Sequence, residues 1–264
     1  MKKGCFILII LGLIIFLLWF FCGANHNELR EIRTRGVLLV GTTGDYCPMS
    51  YFDLKTNSYV GFDIELAQDL AKAMGVKVRF VHTSWNTLMN DINSNKFDIA
   101  ISGITVTDER KRQALMSKGY LNNGKTLLCR RVDANKYKDL ESINKPEIRV
   151  IENPGGLNEK FVRENLPNAY LIIHNINYEI PNLIASGIAD VMITEVIEAK
   201  YYSNINKNLA APLSKSPFTK GKIGMLIPKK NKNLLKFANK FIDRELTSGR
   251  IDELKSKYIY CVGN

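Results

Sequence analysis

IADVMITEVIEAKYYS, residues 188–203, reads as a short buried strand from Asp190 to Ile193 that runs straight into a helix starting near Thr194. A strand feeding a helix with no intervening loop is the unit of an α/β fold. Glu195 and Glu198 stand three apart in the first turn of that helix, a spacing that puts both carboxylates on one face. They also stand at the carboxyl end of a strand, where open α/β sheets hold their ligands. The plainer reading is local: acidic residues in a first turn favour the positive end of the helix dipole by about 0.3–1 kcal/mol.

Elements of the same kind extend on both sides. GVLLVGTT (36–43) is a strand entering a loop. GFDIELAQDLAKAMG (61–75) carries apolar residues at helical spacing and ends on Gly75 as C-cap. VKVRFVH (76–82) alternates as a strand, and SWNTLMNDINSNK (84–96) reads as a helix capped by Ser84. FDIAISGIT (97–105) is a buried strand, followed by a helix from DERKRQALM. A second βα series begins near Glu147: EIRVI, a helix from Gly156, AYLIIH, a helix around Ile180–Ser186, then ADVMIT. KIGMLIPKK (222–230) reads as a strand returning to the first sheet, and the chain ends in helix with a break at Gly249. Alternating strands and helices predict parallel sheet.

The N-terminus is Met1-Lys2-Lys3 followed by an apolar run from Cys5 to Cys22, the n- and h-regions of an export signal. Cleavage after Ala24, lipidation of Cys22 and retention as an anchor all remain open, and each places the rest of the chain outside the cytoplasm. The net charge is +11, but the basic residues are scattered apart from Lys229-Lys230-Asn231-Lys232, and no aromatic-basic pattern of a nucleic-acid binder appears. Cys47, Cys129 and Cys261 make no disulfide framework, although an oxidising compartment allows one bridge, with Cys129–Cys261 the candidate. His26, His82 and His174 are too widely separated to suggest a metal site.

Five loop regions after strands are candidates to converge on one cleft. Tyr46, in TTGDYCPMSYFD (42–53), offers a ring and a hydroxyl. Trp85 lies just inside its helix, where core packing is the alternative. Ser102, Gly103 and Thr105, with Arg110 on the next helix, supply amides, hydroxyls and a guanidinium suited to a carboxylate; the plainer role for Arg110 is a surface ion pair with Asp108 or Glu109. Lys125, in NNGKT (122–126), brings a second cation. Asn153, Gly155 and Gly156, in NPGGLNEKF (153–161), let a helix start approach an anion.

Together TTGDYCPMSY, YVGFDIELAQDLA, SWNTLMNDI, FDIAISGITVTDERKRQ and the Gly-Lys-Thr segment resemble type II periplasmic solute-binding proteins of the polar amino-acid class, from about Leu29 to Tyr258. Within that superfamily NPGG-x-NEKF, the GKT segment and TEVIEA are similar to the periplasmic cyclohexadienyl dehydratases, which convert prephenate to phenylpyruvate and arogenate to phenylalanine. The resemblance implies two α/β lobes around a central cleft, about 28–128 with 223–264 forming one lobe and 129–222 the other. It implies that Ser102, Thr105 and Arg110 hold a ligand carboxylate, that Glu195 stands where amino-acid binders take the amine, and that Glu198 is a general acid. It matches Trp85, Lys125, Asn153 and Gly156 to other pocket positions. Leu157, Glu195 and Met49 depart from the common Thr, Asp and Phe. No metal or organic cofactor is implied. The alternative is a non-catalytic amino-acid receptor serving an ABC importer.

Overall fold

The computed structural model describes residues 28–260. The N-terminal segment 1–24 and Cys261, hence also the candidate Cys129–Cys261 bridge, lie outside the described residues. Cys129 and Cys47 are buried, and neither is bridged to another cysteine among the described residues. Among the described residues no helix is long and apolar enough to cross a membrane.

Two five-stranded sheets form the cores of two lobes. The first runs in the order 77–82, 37–42, 99–100, 226–227, 115–116. Its first three strands are parallel, and the last two add on antiparallel. The second runs 170–173, 149–152, 191–195, 125–130, 209–210, again with three parallel strands and two antiparallel ones. Parallel sheet was the expectation; the strands that run against it, 226–227 and 125–130, are the segments that enter each lobe from the other, and 115–116 and 209–210 pair antiparallel with them at the edges. Leu121–Asn123 pairs with Gly221–Ile223 antiparallel, and these two short strands carry the chain between lobes. Lys125–Arg130 belongs wholly to the second sheet.

Local chemistry explains the elements that frame the cleft. Helix Phe62–Met74 buries Ile64, Leu66, Ala67, Leu70 and Ala71, the stripe its spacing predicts. Gly75 closes it at φ 74°, donating to the carbonyls of Ala71 and Lys72. The C-terminal helix Lys232–Thr247 returns to the first lobe, where Leu234, Ala238, Phe241 and Ile242 join one core with Leu38, Val40 and Leu66. Gly249 then breaks the helix at φ 81°.

Three expected boundaries move. The helix predicted from Ser84 begins only at Leu88, because the Ser84 carbonyl accepts from Thr87 and Leu88 in a turn; Trp85 therefore sits on that turn. Only Ile99–Ala100 of 97–105 is strand, since the chain then bends through Gly103 at φ 67°. The 191–195 strand extends to Glu195 and the helix starts at Val196, not Thr194. Pairing with 125–130 holds Glu195 extended, and the Asn123 Oδ1 accepts from the Ile197 N–H at the new helix start.

Candidate active site

Between the lobes lies a tight cavity of about 30 Å³, room for little more than water in this arrangement. Tyr46, Trp85, Gly103, Thr105 and Arg110 line it from the first lobe. Lys125, Asn153, Gly156, Leu157, Asn177 and Glu195 line it from the second. Ser102, Gly155 and Glu198, expected to face a ligand, are set back from the wall.

Ser102 is fully buried, and its hydroxyl lies 2.7–3.2 Å from hydroxyls of Thr42, Thr43 and Ser50 and from the Thr43 N–H. It ties three loops of the first lobe together and holds no free position for a ligand. Gly103 is positioned by Asp63, whose carboxylate accepts from the Gly103 N–H and from the Tyr120 hydroxyl. A Cβ at Gly103 would stand 2.2 Å from the Tyr46 ring. The Gly103 turn and Tyr46 thus form one packed unit, and burial pushes the Asp63 carboxyl up to about 7.

Glu195 is the electrostatic centre of the cavity. Its Oε2 accepts from the Tyr46 hydroxyl at 2.8 Å and from the Asn123 amide at 2.7 Å. Its Oε1 accepts from the Thr105 hydroxyl and pairs with Lys125 at 3.3 Å. Burial opposes the charge, but the Lys125 cation and these donors outweigh it and hold the carboxyl below its ordinary value. Lys125 also donates to the Asn158 side chain.

Arg110 is different. Burial lowers its guanidinium to about 10, opposed by Glu195 and Glu109, so it stays charged at neutrality. One of its N–H groups donates to the Thr105 carbonyl at 2.8 Å. The neighbours proposed for a plain surface pair are engaged elsewhere: Asp108 with Lys111, and Glu109 with Lys160 across the cleft. Among the described residues Arg110 makes no salt bridge, so the cavity wall holds a buried cation with unused donors.

Glu198 is fully buried one residue behind the wall, on the first turn of the helix that starts at Val196. Glu195 is extended and outside that helix, so the two carboxylates do not share a helical face; they diverge. The Thr194 hydroxyl bonds one Glu198 oxygen, and the Asn177 amide donates to the other at 2.9 Å. Asn177 also donates to the Asp45 carbonyl at 3.0 Å and so bridges the lobes. Burial pushes the Glu198 carboxyl up to about 8, with the carboxylates of Asp45 and Glu195 adding to the rise against the bonds from Thr194 and Asn177. It is an acid that keeps its proton at neutral pH.

The glycine pair at 155–156 divides. Gly156 faces the cavity from the N-cap of helix Leu157–Asn165. The Gly155 N–H is taken by the Glu159 carboxylate at 2.7 Å, so it does not serve an anion. Gly155 has φ 82°, and a Cβ there would lie 1.8 Å from the Asn86 Oδ1 and 2.8 Å from the Asn86 Cα, across the cleft. Gly155→Ala should therefore obstruct closure. We expect ligand affinity to fall on the order of 10-fold as the closed fraction drops, and small-angle scattering at saturating ligand to give a larger radius than wild type.

Four residues of the site's surroundings lay outside the sequence reading. Asn123 and Asn158 stand inside segments singled out there, but a lone Asn gives no sign of its partner. Asn177 carried no pattern and meets Glu198 within the second lobe, while Asp45, inside the 42–53 segment, approaches from the first.

Comparison with known proteins places this geometry. The profile of the bacterial extracellular solute-binding proteins, family 3, matches residues 38–260. The chain is 42% identical over 206 residues to the cyclohexadienyl dehydratase of Pseudomonas aeruginosa, covering 78% of this chain and 76% of that protein. An ancestral amino acid-binding protein, a precursor of cyclohexadienyl dehydratase, superposes with a TM-score of 0.81 at 37% identity, covering 88% of this chain and all of the other. An ancestral cyclohexadienyl dehydratase is 47% identical with a TM-score of 0.57, covering 89% of this chain and 98% of the other.

Proposed function

The chain belongs to the bacterial extracellular solute-binding proteins of family 3, and from that membership we propose that it is an extracytoplasmic cyclohexadienyl dehydratase. The observation that carries this reading is Glu198, a buried carboxyl pushed up to about 8 directly behind a cavity wall that bears Arg110, a cation with no salt bridge among the described residues. The likeness to the dehydratase of Pseudomonas aeruginosa supports it.

Prephenate is a dianion. Arg110 holds one carboxylate by paired N–H donors. Tyr46 and Trp85, whose rings meet edge to face with centroids 6.0 Å apart, give the six-membered ring an aromatic wall. The leaving hydroxyl takes the place of the Asn177 amide beside Glu198, whose proton passes to the hydroxyl oxygen as the C–O bond breaks. The electron pair of the ring-to-carboxylate bond enters the ring, and carbon dioxide and water depart. The Glu198 carboxylate then recovers a proton from solvent. Formation of an aromatic ring makes the reaction strongly downhill, so one positioned acid, contributing typically about 10²–10⁴-fold, is the main catalytic demand. Lys125 keeps Glu195 compensated, so its charge does not face the substrate alone.

Only the protonated Glu198 works, which fixes the sign of the pH dependence. With chemistry limiting, kcat for phenylpyruvate formation should be level below pH 7 and fall as pH rises through about 8. A stopped assay across a pH series measures this. A rate that rises through that range removes the acid role.

The second reading is a non-catalytic amino-acid receptor of an ABC importer, supported by the ancestral amino acid-binding neighbour. It expects tight amino-acid binding and no turnover of prephenate beyond background decay. In either reading residues 1–24 serve as a signal, lipidated or cleaved, or as an anchor.

A further inference from the structure

Asn177 follows the strand Tyr170–Ile173 of the second lobe, is 2% exposed and lines the cavity. Its Nδ2 donates to the Asp45 carbonyl at 3.0 Å and to Glu198 Oε1 at 2.9 Å. A backbone carbonyl oxygen only accepts, so Asp45 fixes which end of the amide faces it. Oδ1 is left over, buried, with no partner among the described residues. Of the buried side-chain atoms in that condition, it alone belongs to a residue of the cavity wall. An unsatisfied buried acceptor costs about 1–3 kcal/mol, and at a ligand site that cost is removed by a ligand donor. Prephenate has one such donor. Its two carboxylates and its oxo group only accept; the ring hydroxyl, the group that must reach Glu198, donates.

We infer that Asn177 Oδ1 accepts the hydrogen bond of the leaving hydroxyl and turns a lone pair of that oxygen towards Glu198, so that Asn177 is a catalytic residue and reads which face of the ring bears the hydroxyl. The inference rests on the proposed reaction for its substrate. The hydroxyl keeps its own hydrogen on Oδ1, and its oxygen takes the Glu198 proton as the C–O bond breaks. Water therefore leaves with both hydrogens held. Nδ2 stays on the Asp45 carbonyl and yields Glu198 Oε1 to the hydroxyl. Because Asp45 belongs to the first lobe, contact between the lobes is what aims the amide.

Two ligands separate this role from that of a brace between the lobes. Phenylpyruvate has no ring hydroxyl. The stereoisomer of prephenate with the hydroxyl on the opposite face has the same charges but presents its donor elsewhere. With chemistry limiting, KM for prephenate reads its binding. Asn177→Ala should raise that KM about 5-fold or more, the share of one hydrogen bond, and lower kcat about 10-fold as the hydroxyl loses its alignment. The inhibition constants of phenylpyruvate and of the stereoisomer should stay within about 2-fold, since neither uses the lost bond. A parallel weakening of all three ligands overturns the inference and leaves Asn177 a brace, as does an unchanged KM for prephenate. Wild type should also bind prephenate about 5-fold or more tightly than the stereoisomer; equal affinity overturns the inference even if Asn177→Ala does not fold. A wild type that turns over prephenate but binds both stereoisomers alike keeps the reaction and loses the inference. One that leaves prephenate untouched loses the reaction, and calorimetric titration of the same three ligands then decides whether Asn177 reads the hydroxyl.

Discussion

Glu198→Gln should lower kcat for prephenate by roughly 10²-fold or more, the share usual for a positioned general acid, while KM changes little. The amide is nearly isosteric with the protonated carboxyl. Its oxygen can accept from Asn177 and its NH₂ can donate to the Thr194 hydroxyl, the two partners Glu198 has now. The buried site therefore stays satisfied and the fold is expected to hold, but no acidic proton remains for the departing hydroxyl. Because that interaction develops mainly in the transition state, the loss appears in kcat. The alkaline fall in rate through about pH 8 should disappear from the residual activity. A variant that keeps wild-type kcat would remove Glu198 from the chemistry, and the amino-acid receptor reading would then explain the fold without it.

The second large effect belongs to binding. Arg110→Ala should weaken prephenate binding by about 1.5–3 kcal/mol, the range for hydrogen bonds to a charged group, or roughly 10- to 150-fold in Kd. Arg110 is buried, charged and, among the described residues, without a carboxylate partner, so its removal breaks no ion pair. The fold loses one bond to the Thr105 carbonyl, and the thermal midpoint should change little by comparison. Arg110→Lys keeps the charge but not the planar pair of donors, and should recover only part of the loss. Calorimetric titration with prephenate, or with phenylpyruvate as a stable analogue, measures both variants. Unchanged affinity in a folded Arg110→Ala protein would mean that the guanidinium merely braces the Thr105 loop.

The candidate site was legible in the sequence where function depends on residue type at a fixed place along the chain. Arg110 and Lys125 were visible as cations after strands, and Glu195 and Glu198 as carboxylates at a strand's end. Ser102 was misread because a hydroxyl beside Gly103 looks the same whether it faces a ligand or ties Thr42, Thr43 and Ser50 together. Gly155 was misread because its sequence context showed the freedom to approach an anion, while Glu159 had already taken its amide. Asn177 could not be found at all, since its two bonds reach Asp45 and Glu198 at sequence separations of 132 and 21 residues.

Apolar periodicity and turn chemistry act between near neighbours, so the chain by itself determined the strand–helix alternation, the Gly75 and Gly249 stops, and the α/β class. The protonation state of Glu198, the saturation of Glu195 and the want of a salt bridge to Arg110 among the described residues were decided only by tertiary structure. Each depends on what the opposite lobe or another loop supplies within a few ångströms. Burial is what raises one carboxyl to about 8 while Lys125 holds its neighbour down.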